Sequence, residues 1–354
     1  MVLRCGVIGC PQCGKTTVFN AISASHAPLR TEVHRATVLV PDERVRRLVE
    51  LYQPKKIVPA TIDIVDIPGF DETVTSHERT AALLLQVREA DVLVHVIRCF
   101  EGLDGRVDPM HDVEVVDLEL MASDADVLQR KVERLDKRVR SGDKRARQEA
   151  EDCNSVLEQL HNGRPARRQD LGRSVLDSVR ECNLLSLKPV LYVANIAQPS
   201  AVNSPSVEAV REHATRGGSE VVAVCGRDEA DISELPEEER GPFLEALGMD
   251  ELSVSRVVHA AYRELALVDF FTAGEREVHV WTCRAGDKAP VAAGKIHSDM
   301  ERGFIRMEVI AYDDLIECGS EAAAIEAGAR RLEGKDYEVC DGDIVVIRFS
   351  PPRR

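Results

Sequence analysis

The sequence predicts an α/β fold interrupted by a helical hairpin and followed by a small α+β module. Three observations carry that reading. A glycine-bounded loop, Gly9-Cys10-Pro11-Gln12-Cys13-Gly14-Lys15-Thr16-Thr17, lies between a short apolar run (Val2 to Ile8) and a stretch with helix-like apolar spacing at Val18, Phe19 and Ile22. A second extended run, Thr61 to Asp66, ends in Asp66-Ile67-Pro68-Gly69. From Asp269 onward the texture changes to short strands separated by glycine-rich turns.

The first loop reads G-x-x-x-x-G-K-T, the phosphate-binding loop of P-loop NTPases, and its strand-before, helix-after context is the one the motif requires. Gly9 and Gly14 let backbone N–H groups converge on phosphate oxygens, and the helix N-terminus adds a partial positive charge. Lys15 is expected to reach the β- and γ-phosphates and Thr16 to ligate Mg²⁺ through its hydroxyl; Gln12, Cys13 and Thr17 complete the candidate nucleotide contacts. After the first helix, His26 to Arg35 has no periodicity and reads as a loop. A threonine that completes the Mg²⁺ shell belongs here; Thr31 and Thr37 are both candidates. Pro41 to Leu51 reads as a helix, with Val45, Leu48 and Val49 on one side. The motif D-x-x-G at Asp66–Gly69 is weak alone. About fifty residues after a phosphate loop, at the end of a hydrophobic strand, it is strong: Asp66 holds Mg²⁺ through water and the Gly69 N–H meets the γ-phosphate. Phe70 follows where Ras-type GTPases carry the water-orienting Gln, so hydrolysis is expected to be slow; Gln86 and His77 lie too far along to be assigned.

Ala81 to Glu89 reads as a helix and Val92 to Ile97 as a buried strand. Leu118 to Arg140 and Asp152 to Leu160 read as two amphipathic helices joined by Ser141-Gly142-Asp143-Lys144, a helical hairpin inserted into the nucleotide domain. The next strand, Pro189 to Ala194, ends in Asn195-Ile196-Ala197-Gln198, where GTPases carry N-K-x-D. Without the aspartate, guanine loses its ionic acceptor and is disfavoured. Asn195 and Ile196 remain as candidate base contacts, with Cys225, which follows the strand Glu220 to Val224. In the C-terminal part, Val278 to Cys283, Phe304 to Val309 and Ile344 to Phe349 read as strands and Ser320 to Arg331 as a helix. Trp281 reads as core, and no catalytic constellation is present there.

The 354 residues suit two or three domains, and no apolar run reaches the roughly 18 residues of a membrane span. The chain enters its first strand at once, so no signal peptide is expected. Ten scattered cysteines fit reduced thiols in a cytoplasm. Cys10 and Cys13 form C-x-x-C inside the phosphate loop, where two small residues are the plain reading. A thiol switch activated by the helix N-terminus is the sharper one. The net charge of −15 argues against indiscriminate nucleic-acid binding, and sequence-specific DNA binding is not expected. Residues 130–173 nevertheless hold 13 Lys/Arg against 8 Asp/Glu, a solvated helical face by default and an RNA-facing patch by hypothesis.

Together these features resemble the YchF family of Obg-like nucleotide hydrolases. The stretches that carry the resemblance include Pro41-Asp42-Glu43-Arg44, Arg98-Cys99-Phe100-Glu101, Lys188 to Tyr192, Phe270 to Glu275, Ala289 to His297 and Glu301 to Arg306. The resemblance covers nearly the whole chain. It implies a cytoplasmic, Mg²⁺-dependent hydrolase that prefers ATP to GTP, associates with ribosomes, and carries a helical insertion and a ubiquitin-like TGS domain. The domains expected are a G domain at 1–117 and 183–268, the helical insertion at 118–182 and the TGS domain at 269–354. The chain departs from the family pattern at several points. Gln198 replaces a Glu, and 71–77 carries no glycine. The loop after Glu101 is short and lacks the family's histidine, to which His111 does not correspond. The complete phosphate loop and D-x-x-G favour a slow, partner-dependent NTPase; the departures favour a degenerate nucleotide-binding module that acts as a scaffold.

Overall fold

The computed structural model describes residues 3–24, 33–69, 77–102 and 105–350; Thr31, Phe70 and residues 71–76 lie outside them. In chain order the first elements are β1 (Leu3–Ile8), α1 (Lys15–Ser23), β2 (His34–Leu39), α2 (Glu43–Tyr52), β3 (Ile57–Val58), β4 (Thr61–Asp66), α3 (His77–Glu89) and β5 (Val92–Arg98). Next come α4 (Pro109–Arg140), α5 (Lys144–His161), α6 (Arg173–Val179), β6 (Val190–Asn195), α7 (Pro205–Gly217), β7 (Val221–Val224), α8 (Gly226–Ser233), α9 (Glu237–Ala246) and α10 (Ser253–Glu264). The last are β8 (Leu267–Ala273), β9 (Val278–Arg284), α11 (Ala289–Ile296), α12 (Ser298–Arg302), β10 (Phe304–Ala311), α13 (Tyr312–Cys318), α14 (Glu321–Glu326), β11 (Arg331–Glu333) and β12 (Asp343–Phe349). The chain divides into two compact units, Leu3–Thr37 with Asp63–Glu264, and Val38–Ile62 with Leu265–Arg354.

The first sheet has the order β2-β4-β1-β5-β6-β7, with β1, β5, β6 and β7 parallel. Val92 to Ile97 and all of β6 are buried without interruption, as strands covered on both faces require. The hairpin of α4 and α5 is present, but α4 starts at Pro109 and not at Leu118. Asp108 caps it by accepting from His111 N–H at 3.1 Å, and Pro109 takes the first turn, where its missing N–H costs nothing. The helix serves two cores in succession. Val113, Val116 and Leu120 pack with the sheet, while Met121 and Leu128 pack with Cys153, Val156 and Leu160 of α5. A boundary that falls inside one helix leaves no loop signal in sequence. Helix α5 likewise begins at Lys144, eight residues before the expected Asp152, because Asp143 caps Arg145 and Ala146 N–H.

Asp124 of α4 fastens this hairpin to the sheet. Fully buried, its carboxylate accepts from the Leu185 and Ser186 N–H groups at 2.8 and 2.7 Å and from Ser186 Oγ at 2.7 Å. A second buried polar group lies between β5, β6 and the hairpin. Arg167 pairs with Asp117, His213 lies edge-on to Tyr192 at 5.6 Å, and Arg168 Nη2 sits 2.6 Å from His213 Nε2. His95 packs against Tyr192 with ring centroids 5.7 Å apart, and its Nε2 has no partner among the described residues. Burial pushes His95 down to about 3; the Asp117 carboxylate opposes it and the Arg167 charge adds to it. The unfolded chain binds this proton near pH 6.5, so acid favours unfolding from there downward. At pH 5 the loss is about 2 kcal/mol relative to pH 8. The buried carboxylates of Asp124 and Glu229, both raised by burial, act in the opposite direction. The comparison is therefore with a variant: His95→Gln is expected to flatten the decline in unfolding midpoint between pH 7.5 and 5, measured by urea melts at each pH. A parallel decline in both proteins would contradict it.

The second unit holds the sheet β11-β10-β12-β8-β9-β3. β8 and β9 form an antiparallel hairpin, β12 joins β8 in parallel and β10 returns antiparallel to β12. Phe270, Ala292, Met307, Val309 and Val345 fill its core, and Trp281 packs against it with Nε1–H donating to Thr272 Oγ1 at 3.0 Å. Elements the sequence does not mark here are β8, α11, α12, α13 and β11, and the helix expected through Arg331 stops at Glu326. A larger difference concerns α2 and β3, read as part of the nucleotide-binding half. β3 pairs in parallel with β9 (Ile57 with Val278), and Arg44 bonds Asp341 at 2.7 Å while lying 5.1 Å from the Phe271 ring centroid. A two-residue strand carries too little pattern to reveal a partner 221 residues away.

Candidate functional site

The loop between β1 and α1 needs its glycines for different reasons. Gly9 has φ +149°, and a Cβ there would lie 2.4 Å from Val96 C=O; at Gly14, φ +91°, it would lie 2.1 Å from Asn195 Nδ2. Helix α1 starts at Lys15 with no side-chain cap and no acid in its first turn. Its first N–H groups therefore face the loop as donors for an anion. Lys15 is buried, with Nζ donating to Cys10 C=O at 2.7 Å, and a Cβ on Gly69 would come within 2.8 Å of Nζ. The phosphate loop and D-x-x-G thus meet at the Lys15 ammonium.

One residue on, Thr16 Oγ1 donates to Asp66 Oδ2 at 2.7 Å. Asp66 ends β4 only 3% exposed, and its Oδ1 has no partner among the described residues. Burial raises its carboxyl, against the Thr16 hydrogen bond and the Lys15 charge that lower it. An orphaned carboxylate oxygen beside a hydroxyl fits a hard divalent cation. Hard oxygen donors of this kind suit Mg²⁺, which keeps waters and phosphate oxygens among its ligands. Thr31 lies outside the described residues. Thr37 sits within β2 with its hydroxyl donating to Asp63 at 2.7 Å.

On the other side of the loop, Asn195 at the end of β6 uses both ends of its amide on backbone. Nδ2 donates to Cys13 C=O at 2.9 Å and Oδ1 accepts from Gly226 N–H at 3.2 Å. The residue expected to frame a base is first a bracket between two loops. Ile196 is buried, with its N–H on Val224 C=O, while Gln198 is exposed. Cys225 is held by Glu229, whose Oε1 accepts the Cys225 N–H at 3.0 Å and Oε2 the Val254 N–H at 3.0 Å. The sequence reading missed Glu229 and Asp112. Asp112 accepts from Arg98 N–H at 3.1 Å, and its carbonyl takes the Cys10 thiol at 3.6 Å, so α4 starts against the phosphate loop. An acid four residues after Cys225, just past a strand end, was the available signal for Glu229. At Cys13 the helix N-terminus does not produce a lowered thiol: the side chain is fully buried, and burial raises it more than Lys15 lowers it. Gln86 accepts from Arg35 at 2.6 Å.

The basic 130–173 stretch is partly spent internally. Lys131 pairs with Glu149 and Arg167 with Asp117 in buried settings, and Arg138 pairs with Asp143 on the surface. Arg130, Arg134 and Lys137, with Glu133, line a shallow concavity on α4.

Residues 4–137 match the family described as 50S ribosome-binding GTPase, and residues 267–350 match the C-terminal YchF GTPase family described as a protein of unknown function, DUF933. A Ribosome-binding ATPase YchF of Haemophilus ducreyi is 42% identical over 362 aligned residues, covering 99% of this chain and 100% of that protein. The chain belongs to the YchF family. Within YchF proteins, the Ribosome-binding ATPase YchF of Bacillus subtilis is 39% identical, again over 99% of this chain and all of that protein. The structure of the Schizosaccharomyces pombe YchF GTPase superposes with a TM-score of 0.85 at 30% identity, covering 98% of this chain and 97% of that one. The stretch Pro41-Asp42-Glu43-Arg44 has a physical role in this chain: Asp42 caps α2 by accepting Arg44 N–H at 2.8 Å, and the Arg44 guanidinium spans Asp42 and Asp341. This YchF chain is accordingly a P-loop NTPase with the family's C-terminal module, and no helix among its described residues is long and apolar enough to cross a membrane.

Proposed function

We propose that the chain is a slow, Mg²⁺-dependent ATPase whose cycle is tied to ribosome binding. The observation that carries this is the Thr16–Asp66 pair, joined at 2.7 Å beside a buried Lys15 and an uncapped helix N-terminus. In this reading the loop from Gly9 through Gln12, Cys13, Gly14, Lys15, Thr16 and Thr17 binds the phosphates, and Gly69 senses the γ-phosphate. Thr16, Asp66 and Thr31 hold the metal, which when bound neutralises charge on the phosphates. Lys15 leaves Cys10 C=O for the phosphates, while Asn195 keeps the phosphate loop in register with the Ile196 and Cys225 segments that border the base. The relatives' printed names support ribosome association and ATP as substrate. Gln198 in place of an acid supports ATP over GTP, because a neutral amide gives guanine no ionic acceptor. An RNA contact through Arg130, Arg134 and Lys137 is the finer extension of the same reading.

Single-turnover assays with ATP and GTP, each with and without ribosomes, test the proposal. ATP is expected to be hydrolysed slowly alone, faster with ribosomes, and at least about tenfold more efficiently than GTP, a difference of roughly 1.4 kcal/mol. Retention of intact ATP under every condition would replace the enzyme by a nucleotide-bound scaffold.

A further inference from the structure

We propose that His34 is a positioning residue for the magnesium site and holds the water that joins Asp66 to the ion. The inference rests on the nucleotide-site reading above and adds to it a residue that no motif marks. The register of two neighbouring strands places it. Val40 N–H donates to Ala60 C=O at 2.9 Å, and Thr37 Oγ1 donates to Asp63 Oδ1 at 2.7 Å. Strands β2 and β4 are neighbours in the sheet, so these contacts make them antiparallel. Three residues further along the same register His34 stands opposite Asp66, and opposed residues share a face. The alternation agrees: His34, Ala36 and Val38 are half-buried between exposed Arg35, Thr37 and Leu39. On that face the His34 ring lies 6.4 Å from the ring of Phe19, one helical turn beyond Thr16.

Asp66 Oδ1 and His34 Nε2 are both buried and both without a hydrogen-bond partner among the described residues. Buried polar atoms left unsatisfied are costly, so two orphans on opposed residues call for a shared partner. Water meets both demands at once. It donates one hydrogen to the carboxylate and the other to a neutral imidazole whose proton sits on Nδ1. A magnesium-bound water is the better donor because the cation withdraws charge from it. His34 therefore fixes where that water sits and, through it, how Asp66 faces the ion. Simple core packing against Phe19 would not need the ring nitrogen.

The test is a Mg²⁺ titration of fluorescent-ATP-analogue binding to the full chain, for wild type, His34→Phe and His34→Asn. The phenyl ring keeps the packing and loses the acceptor; the amide restores an acceptor. In His34→Phe, the Mg²⁺ concentration for half-maximal enhancement is expected to rise about tenfold, with metal-free affinity within about twofold of wild type. His34→Asn is expected to recover most of the loss. An unchanged Mg²⁺ requirement in His34→Phe would overturn the proposal, as would equal losses of metal-free and metal-dependent affinity. If the Phe protein does not fold, His34→Ala carries the same expectation. A wild-type protein that binds no analogue with or without Mg²⁺ would instead remove the nucleotide-site reading itself.

Discussion

A Lys15→Ala protein is expected to bind MgATP at least about a hundredfold more weakly than wild type while keeping its fold. The ammonium is already buried between Cys10 C=O, at 2.7 Å, and the approach of Gly69. It is thus held where the uncapped end of α1 points its N–H groups, and its charge lowers the Asp66 carboxyl against the burial that raises it. Removing it withdraws two or more charge-assisted bonds to phosphate oxygens, each worth about 1.5–3 kcal/mol in a site that excludes water. Lys15→Arg is not expected to rescue, because the planar fork cannot enter a space sized for a point charge. Calorimetric titration with MgATP measures the effect; a change of less than about threefold would contradict it.

The second large effect is structural. Asp124→Ala is expected to destabilise the chain by roughly 3–5 kcal/mol in urea unfolding. The deletion strands the Leu185 and Ser186 N–H groups and the Ser186 hydroxyl, all buried and all now bonded to the one carboxylate. No solvent reaches them, since Asp124, Leu185 and Ser186 are each fully buried. Asp124→Asn keeps one acceptor oxygen and is expected to fall between the two. The turn that Asp124 holds leads into β6, which ends at the Asn195 bracket. Nucleotide affinity should therefore fall with temperature earlier in the Ala protein than in wild type. A loss below about 0.5 kcal/mol would mean that the turn is held by something else.

Motifs whose chemistry is local in sequence were legible without coordinates. The phosphate loop, D-x-x-G and the helical hairpin each depend on residues close along the chain; the loop lies between β1 and α1 and Asp66 ends β4, while both hairpin helices start earlier than their apolar spacing suggests. The strand after the hairpin also ended at Asn195 as expected, but the use of its amide on Cys13 and Gly226 required three dimensions. Long-range pairing was the main loss. The assignment of α2 and β3 rests on β9 and on Asp341, far along the chain. His34 and Arg35 fell within a segment read as loop because β2 alternates half-buried and exposed residues, with a histidine and an alanine on its inner side. Buried carboxylates were the other loss. Asp112, Asp124 and Glu229 look like surface acids on amphipathic helices, and only the backbone N–H groups they meet set them apart.

A crystal structure with Mg²⁺ and a non-hydrolysable ATP analogue tests the site most directly. The triphosphate is expected on the loop that opens α1, with Lys15 moved from Cys10 C=O to the phosphates and the ion on Thr16 Oγ1, reaching Asp66 through water. An analogue bound elsewhere, or bound on the loop with no metal beside Thr16, would contradict the proposed site.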